Sequence, residues 1–243
     1  MPRKNTIESS IPGLAKARWI AFDLDDTLHD FRKASRSAMR IVFQAIFDEY
    51  GIEPQHSEAL YREILAEGTA DAFTDGRASH EYRAERFSKL LEKCRIVDPD
   101  FVNELVDIYD KSLIPLLRVR PGTRRLLAKL RAQGKKVAVV SEGLADAQTK
   151  ALIRLGLDRL VDLVITSNSE GVSKPNGLFQ RLLDRVAANA ADVCVVGDSA
   201  SRDIEPAISL GCSVVHVEPR RRPDFSVPHV ARVSSIMALC QYA

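Results

Sequence analysis

The regular return of short apolar runs, each followed by a segment of helical period, constrains this chain more than any other feature. The runs are Trp19–Asp23, Lys136–Val140, Leu163–Ser167, Val193–Gly197 and Ser213–Val217, with a weaker sixth around Arg232–Ser234. Near-continuous apolar runs this short suit strands buried on both faces, as in a parallel sheet. Helical patterns separate the later runs. Gly122–Gln133 carries Leu126, Leu127 and Leu130 on one face, with Pro121 before it and Gly134 after it. Those flanking residues are start and stop signals. Ala145–Leu155 ends at Gly156, and Leu178–Ala188 places Leu178, Leu182, Leu183 and Val186 together. Asp203–Leu210 stops at Gly211, and its Pro206 falls in the first turn, where proline is tolerated. Strand–helix alternation of this kind predicts an α/β fold with a doubly wound parallel sheet.

Residues 33–114 break the rhythm. They contain no convincing strand and read as four helices, at 33–50, 55–67, 77–94 and 99–113. A helical unit is therefore expected to be inserted after the first strand, with joints near His29–Arg32 and Pro115–Pro121. Residues 1–17, with Ser9, Ser10, Pro12 and Gly13, read as a flexible N-terminal arm. The expected division is the arm, a core of 18–32 with 115–243, and a helical unit of 33–114.

Composition narrows the function classes. The 243 residues carry 35 basic and 33 acidic side chains, a formal net charge of +2. Such a balance gives no reason to expect a nucleic-acid polymer or a membrane surface as partner. Basic residues are somewhat concentrated at Arg3, Lys4, Lys16 and Arg18 and at Arg220–Arg222. No stretch approaches the roughly 20 apolar residues that span a bilayer. Cys94, Cys194, Cys212 and Cys240 form no CxxC pair. Cys194 and Cys212 lie in or beside apolar runs and read as buried thiols, which fits a reducing, cytoplasmic setting.

Chemistry concentrates where the apolar runs end. The first delivers Asp23, Asp25 and Asp26, followed by Thr27. Ligands of open α/β sheets gather at the carboxyl ends of strands. Carboxylates clustered there repel one another unless a cation is present, and hard oxygen donors suit Mg²⁺. The bland alternative is a solvated loop in which Asp26 caps a turn. Another run delivers Asp198 after Gly197, which suggests a tight backbone turn, and Asp203 follows as a site residue or a helix cap. Ser141, Glu142 and Gly143 end a third run. A hydroxyl and backbone N–H groups before a helix can hold a phosphate oxygen, although a plain cap is the simpler reading of Ser141. Lys174-Pro175 is either a solvated loop or a cation screening an aspartate and a phosphate.

Taken in order, Asp23-x-Asp25-x-Thr27, Ser141, Lys174-Pro175 and Gly197-Asp198 through Asp203 resemble the signature of the haloacid dehalogenase-like hydrolase superfamily. The resemblance spans about residues 18–30 and 115–240 and implies a Rossmann-like core. The helical insertion matches the place of that superfamily's type 1 cap. A phosphatase on a small phosphorylated metabolite, such as a nucleotide or phosphoglycolate, is implied, with the oligomeric state left open. Asp23 would be the nucleophile and Asp25 the acid and base. Mg²⁺ would be held by the Asp23 carboxylate, the Asp25 backbone carbonyl and Asp198. Ser141 and Lys174 would act on the phosphoryl group, with Thr27, Glu142 and Gly143 beside the substrate and Asp203 in support. The family order also implies that the strands ending at Asp23 and Asp198 are neighbours.

Two departures qualify the resemblance. Glu142 stands where such phosphatases commonly have Asn, and an extra carboxylate near a phosphate is repulsive. His29 sits at the hinge, where it reads as a residue without a catalytic role. Substrate choice is expected to lie in the cap, where Phe31, Arg32, Arg77, His80, Arg83 and Arg86 are candidates to face the leaving group, although ordinary solvated or packed helix residues are the simpler reading of most of them. Dehalogenases of the superfamily lack an acid at the position of Asp25, and Lys89 and Lys93 look too exposed for a Schiff base. A catalytically weak binding or regulatory protein on the same fold is the non-enzymatic alternative.

Overall fold

The apolar runs form one parallel sheet. The computed structural model describes residues 11–68, 73–218 and 230–243. The chain begins with α1 (Pro12–Lys16) and β1 (Trp19–Phe22), then passes through α2 (Phe31–Tyr50), α3 (Pro54–Ala66), α4 (Ser79–Lys93) and α5 (Pro99–Leu116). It continues as α6 (Thr123–Ala132), β2 (Lys136–Ser141), α7 (Ala145–Leu155), β3 (Leu163–Thr166) and α8 (Ser167–Glu170). The remainder is α9 (Phe179–Val186), β4 (Val193–Gly197), α10 (Glu205–Ser209), β5 (Ser213–Val217), β6 (Ala231–Val233) and α11 (Ile236–Leu239). The sheet order is β3-β2-β1-β4-β5-β6, and every pairing is parallel. This is the expected doubly wound α/β architecture, and the expected strand segments all appear.

The order reverses at β1, which lies between β2 and β4. Phe22 is level with Val139 on one side and Val196 on the other. The ends of these three strands therefore open into one crevice, where ligands of such sheets bind. Both faces are covered, as the apolar runs require. Phe22, Val139 and Val196 face one buried cluster, while Ala21, Val140 and Val195 face the other with Phe179 and Leu182. The first cluster runs on through Leu24 and Leu28 into Ile46, Phe87 and Leu105 of the inserted helices.

The insertion takes shape for local reasons. Ala34, Ala38, Val42 and Ile46 give α2 a buried stripe, and Gly51 ends it in the left-handed region with φ 66°. Asp98 caps α5 by accepting from the Phe101 N–H at 2.9 Å, and the Tyr50 hydroxyl donates to the same carboxylate at 2.6 Å. The two chain segments joining insertion and sheet lie against each other. Asp30 N–H donates to Arg118 C=O at 3.1 Å, Arg120 N–H to Leu28 C=O at 3.0 Å, and Arg120 Nε pairs with Asp30 at 2.7 Å.

Some expectations change. Pro12–Lys16 is a helix rather than part of a loose arm. Leu14 and Ala17 are buried in the main cluster, and Lys135 Nζ donates to the Ala15 and Ala17 carbonyls at 2.7 Å each. A single leucine among Pro, Gly and Lys left too little periodicity to reveal this. The first turns before α9 and α10 are wide ones, over Lys174–Leu178 and Ala200–Ile204, so those helices start later than their apolar spacing indicated. Residues 1–10 of the expected arm and Arg220–Arg222 lie outside the described residues. Cys194 and Cys212 are buried free thiols as expected, and burial pushes the Cys194 thiol up to about 12. Among the described residues, no helix is long and apolar enough to cross a membrane.

Candidate active site

Asp23 is the first residue past β1, and its N–H donates to the Val196 carbonyl at 2.9 Å. That bond carries the sheet pairing one step further and aims the side chain into the crevice. Its Oδ1 accepts from Lys174 Nζ at 2.6 Å, while Oδ2 is buried with no hydrogen-bond partner. Lys174 is only 3% exposed and also donates to Asp203 Oδ1 at 2.5 Å. Burial alone would lower the Lys174 pKa, but the charges of Asp203 and Asp23 outweigh it and hold the ammonium above its ordinary value. Two carboxylates thus share one cation. Burial and the nearby Asp23 accordingly push Asp203 up to about 6 against the pull of Lys174.

Gly197 has a role different from the tight turn first inferred. It is absent from the left-handed glycines, but a Cβ there would meet the Asp203 carboxylate at 2.4 Å. The missing side chain lets Asp203 fold back against β4, where its Oδ2 accepts from the Ser199 N–H at 2.9 Å. Asp203 is therefore a structural clamp on Lys174, not a simple helix cap.

Asp25 is held at both oxygens. His29 Nε2 lies 2.8 Å from Oδ1, and Gln148 Nε2 donates to Oδ2 at 3.1 Å. His29 is fully buried and its Nδ1 has no partner. Burying a bare lone pair costs less than burying an unmade N–H, so Nε2 carries the proton and donates to the carboxylate. Gln148 reaches Asp25 because Gly143 has no side chain; a Cβ there would overlap Gln148 Nε2 at 1.9 Å. The hinge histidine thus touches the site directly. Gln148 gave no signal in the sequence, since a glutamine within a helix is usually solvated.

Ser141 closes β2 and is buried, and its Oγ accepts from the Gly143 N–H at 3.1 Å. That N–H is consequently committed, and Gly143 serves the site by making space. Glu142 turns sideways: Oε1 accepts from the Lys174 N–H at 3.1 Å and Oε2 faces Arg202 Nη1 at 3.4 Å. The carboxylate in place of the usual Asn thereby fastens the Lys174 turn and has a counter-charge of its own. Thr27 is fully buried, its hydroxyl has no partner, and it is not among the residues lining the cavity. Asp26 is buried in the left-handed region with φ 63° and is tied to Arg32 at 3.0 Å.

The residues fit a divalent cation. Carboxylate oxygens of Asp23, Asp198 and Asp203 lie within 4.8 Å of one another. Asp203 has both oxygens engaged, whereas Asp23 Oδ2 is an orphaned acceptor. Asp198 forms no ion pair among the described residues, and burial together with the charge on Asp23 raises its pKa. Its backbone carbonyl accepts from the buried His216 at 3.1 Å. The free oxygen of Asp23 beside the half-buried, unpaired carboxylate of Asp198 offers hard oxygen donors of the kind Mg²⁺ satisfies.

Residues 17–211 match the haloacid dehalogenase-like hydrolase family. The chain belongs to that family. A family relative named glyceraldehyde 3-phosphate phosphatase, from Methanocaldococcus jannaschii, is 32% identical over 82% of this chain and 83% of its own length. Another, named ribulose-1,5-bisphosphate 5-phosphatase, from Halopiger xanaduensis, is 27% identical over 84% of this chain and 86% of its own. Among solved structures, a 2-haloacid dehalogenase from Pseudomonas syringae superposes with a TM-score of 0.69 over 93% of this chain and 97% of its own, at 22% identity. That last likeness bears on the fold of this haloacid dehalogenase-like hydrolase and not on its substrate.

The cavity over the aspartates has a volume of about 800 Å³ and reaches into the inserted helices. Phe31, Arg32, Arg83 and Arg86 line it as the sequence suggested. Arg77 instead pairs with Asp75 and Glu85 at 2.8 and 2.9 Å, and His80 is exposed outside it. Lys89 and Lys93 pair with glutamates away from the aspartates, at Glu85 and at Glu63 and Glu67. Tyr61, Phe73, Tyr82 and Tyr109 line the cavity without having stood out in the sequence, where aromatics at helical spacing read as core.

Proposed function

We propose that this chain is a magnesium-dependent phosphomonoesterase that hydrolyses a small phosphorylated metabolite through a phosphoaspartate at Asp23. One observation carries the reading: Asp23 enters the crevice with one oxygen neutralised by the buried Lys174 and the other unpartnered beside Asp198. Phosphoryl transfer asks mainly for alignment and for neutralised charge. The names of the family relatives, both phosphatases of sugar phosphates, support the same reaction class.

The chain's own residues divide the work. An Asp23 oxygen attacks phosphorus and the ester oxygen leaves, taking a proton from Asp25. Asp25 then accepts a proton from water as that water attacks the acyl phosphate, which releases orthophosphate and restores the Asp23 carboxylate. His29 and Gln148 keep Asp25 pointing at the leaving atom throughout. Lys174 and the Ser141 hydroxyl balance charge on the phosphoryl oxygens. Mg²⁺, held by Asp23, Asp198 and the Asp25 carbonyl, would supply further charge neutralisation to the phosphoryl group.

In this reading residues 33–114 are the cap, 18–32 with 115–243 the catalytic core, and the free thiols accord with a reducing cytoplasm. An acid held at both oxygens argues against a dehalogenase, which needs no proton donor at that point. Phosphate release from phenyl phosphate, with Mg²⁺ and with chelator, tests the reading. Metal-dependent release that Asp23→Asn abolishes is expected. Release that persists in Asp23→Asn contradicts the nucleophile assignment.

A further inference from the structure

Resting on the phosphatase reading, we propose that Arg202 is a further catalytic residue: its guanidinium leaves Glu142 and grips the transferring phosphoryl group. The sheet order is the first reason. β1 lies between β2 and β4, and Asp23 stands at its end. Arg202 belongs to the turn after β4, and Glu142 follows the last residue of β2. Arg202 Nη1 nevertheless faces Glu142 Oε2 at 3.4 Å. A side chain joining these two places spans two strand spacings of about 4.8 Å each, and so crosses beside Asp23. Arg202 accordingly lines the cavity together with Asp23, Asp25 and Lys174. Its charge also reaches Asp198, where it works against the rise in pKa that burial and Asp23 cause.

The looseness of its present contacts is the second reason. Nε lies 3.4 Å from Ser199 Oγ, as long as the contact with Glu142, whereas charge-assisted bonds are ordinarily about 2.7–2.9 Å. Nη2 makes no hydrogen bond among the described residues, and the side chain is 48% exposed. A guanidinium carries five N–H donors in a planar fork that matches two phosphoryl oxygens. Exchanging Glu142 for a phosphoryl group therefore gains bonds. Charge is the third reason. Lys174 is shared by Asp23 and Asp203, and Glu142 adds a further carboxylate next to Ser141. An arriving phosphomonoester brings up to two more negative charges. Other cations of the wall already have acids: Arg32 has Asp26, Arg83 has Asp110 and Lys150 has Asp146. Glu142 stays fixed without Arg202, because Oε1 accepts from the Lys174 N–H at 3.1 Å. The carboxylate in place of the usual Asn is then the resting partner that keeps Arg202 over the empty site.

The test is a double-mutant cycle of Arg202→Gln and Glu142→Gln in the Mg²⁺-loaded full chain. It is read by kcat/KM on phenyl phosphate and by calorimetric titration with orthophosphate. Arg202→Gln should lower kcat/KM and orthophosphate affinity each by about tenfold or more. Glu142→Gln keeps an acceptor for the Lys174 N–H and removes the competing charge. In that background the Arg202→Gln loss should be at least as large, because no carboxylate at position 142 then competes for the guanidinium. A loss that disappears in the Glu142→Gln background means that Arg202 only holds Glu142 in place, and it overturns the proposal. Unchanged kcat/KM or unchanged orthophosphate affinity in Arg202→Gln overturns it too and leaves the phosphatase reading standing. Orthophosphate binding that depends on Arg202, in a chain that turns over no phosphate ester, would instead overturn the hydrolysis reading alone.

Discussion

In the proposed reaction Asp25 must point one way through two proton transfers, and the structure gives it two donors from different parts of the chain. His29 comes from the loop after β1 and Gln148 from α7, so the loop and the helix must keep their relative places for the acid to stay aimed. General acid–base catalysis by a positioned group contributes roughly 10²–10⁴-fold, so partial loss of aim should cost about tenfold in kcat. Gln148→Ala should show that loss with KM changed less than about threefold, read by steady-state kinetics on phenyl phosphate. An unchanged kcat would show that Gln148 is only packing. At this scale the sequence was legible where a strand runs into an acid. Asp23, Asp25 and Asp198 announce themselves by following apolar runs, and Lys174 by its place in the ordered motifs. Gln148 and the use of His29 were not legible, because each depends on a contact across the fold. The burial of Thr27 was not legible either, because a motif position says nothing about which way a hydroxyl points.

Elements show the same division between local and distant causes. The helices of the insertion were readable from apolar spacing to within two or three residues at most ends. Helix α1 was not, because its stability comes from Leu14 sinking into a core built by later segments. The entry to β2 depends on one acid. Asp162 accepts from the Val137 N–H at 2.9 Å and pairs with Arg131 and Lys136 at 2.9 and 3.0 Å. Burial would raise its pKa, but the Val137 N–H and the two cations outweigh burial and hold it below the ordinary carboxylate value. A carboxyl lowered in the folded state contributes stability above its unfolded pKa and loses it as pH falls through the folded one. Asp162→Asn should therefore cost about 1–3 kcal/mol near pH 7. That gap should narrow as pH falls below roughly 5, measured by urea unfolding across the range. A gap independent of pH would contradict this assignment of charge.

The whole molecule joins insertion and core at more than the two linking segments. The N-terminus of α4 docks on the start of α7, where Ser79 N–H and Oγ donate to the two oxygens of Asp146 at 3.1 and 2.7 Å. Nearby, Asn168 Nδ2 donates to the Arg77 carbonyl at 3.1 Å, and its Oδ1 accepts from the Ala145 N–H at 3.2 Å. α7 also carries Gln148, so this clasp and the aim of Asp25 share one helix. A double-mutant cycle of Ser79→Ala and Asp146→Ala should give a coupling of about 1–3 kcal/mol in unfolding free energy, and additive losses would deny the clasp. The sequence disclosed the doubly wound core and the position of the insertion, since both are written in periodicity. It did not disclose the clasp or the aromatic cavity, because these arise only when the insertion folds back over the sheet.

The covalent role of Asp23 is the claim on which the rest depends. It is tested most directly by quenching the Mg²⁺-loaded chain during turnover of phenyl phosphate and reducing any acyl phosphate with borohydride. Peptide mass spectrometry then locates the reduced residue. Homoserine in place of Asp23, absent without substrate, is the result predicted. Steady turnover with position 23 always unmodified, or reduction at another carboxylate, would contradict it.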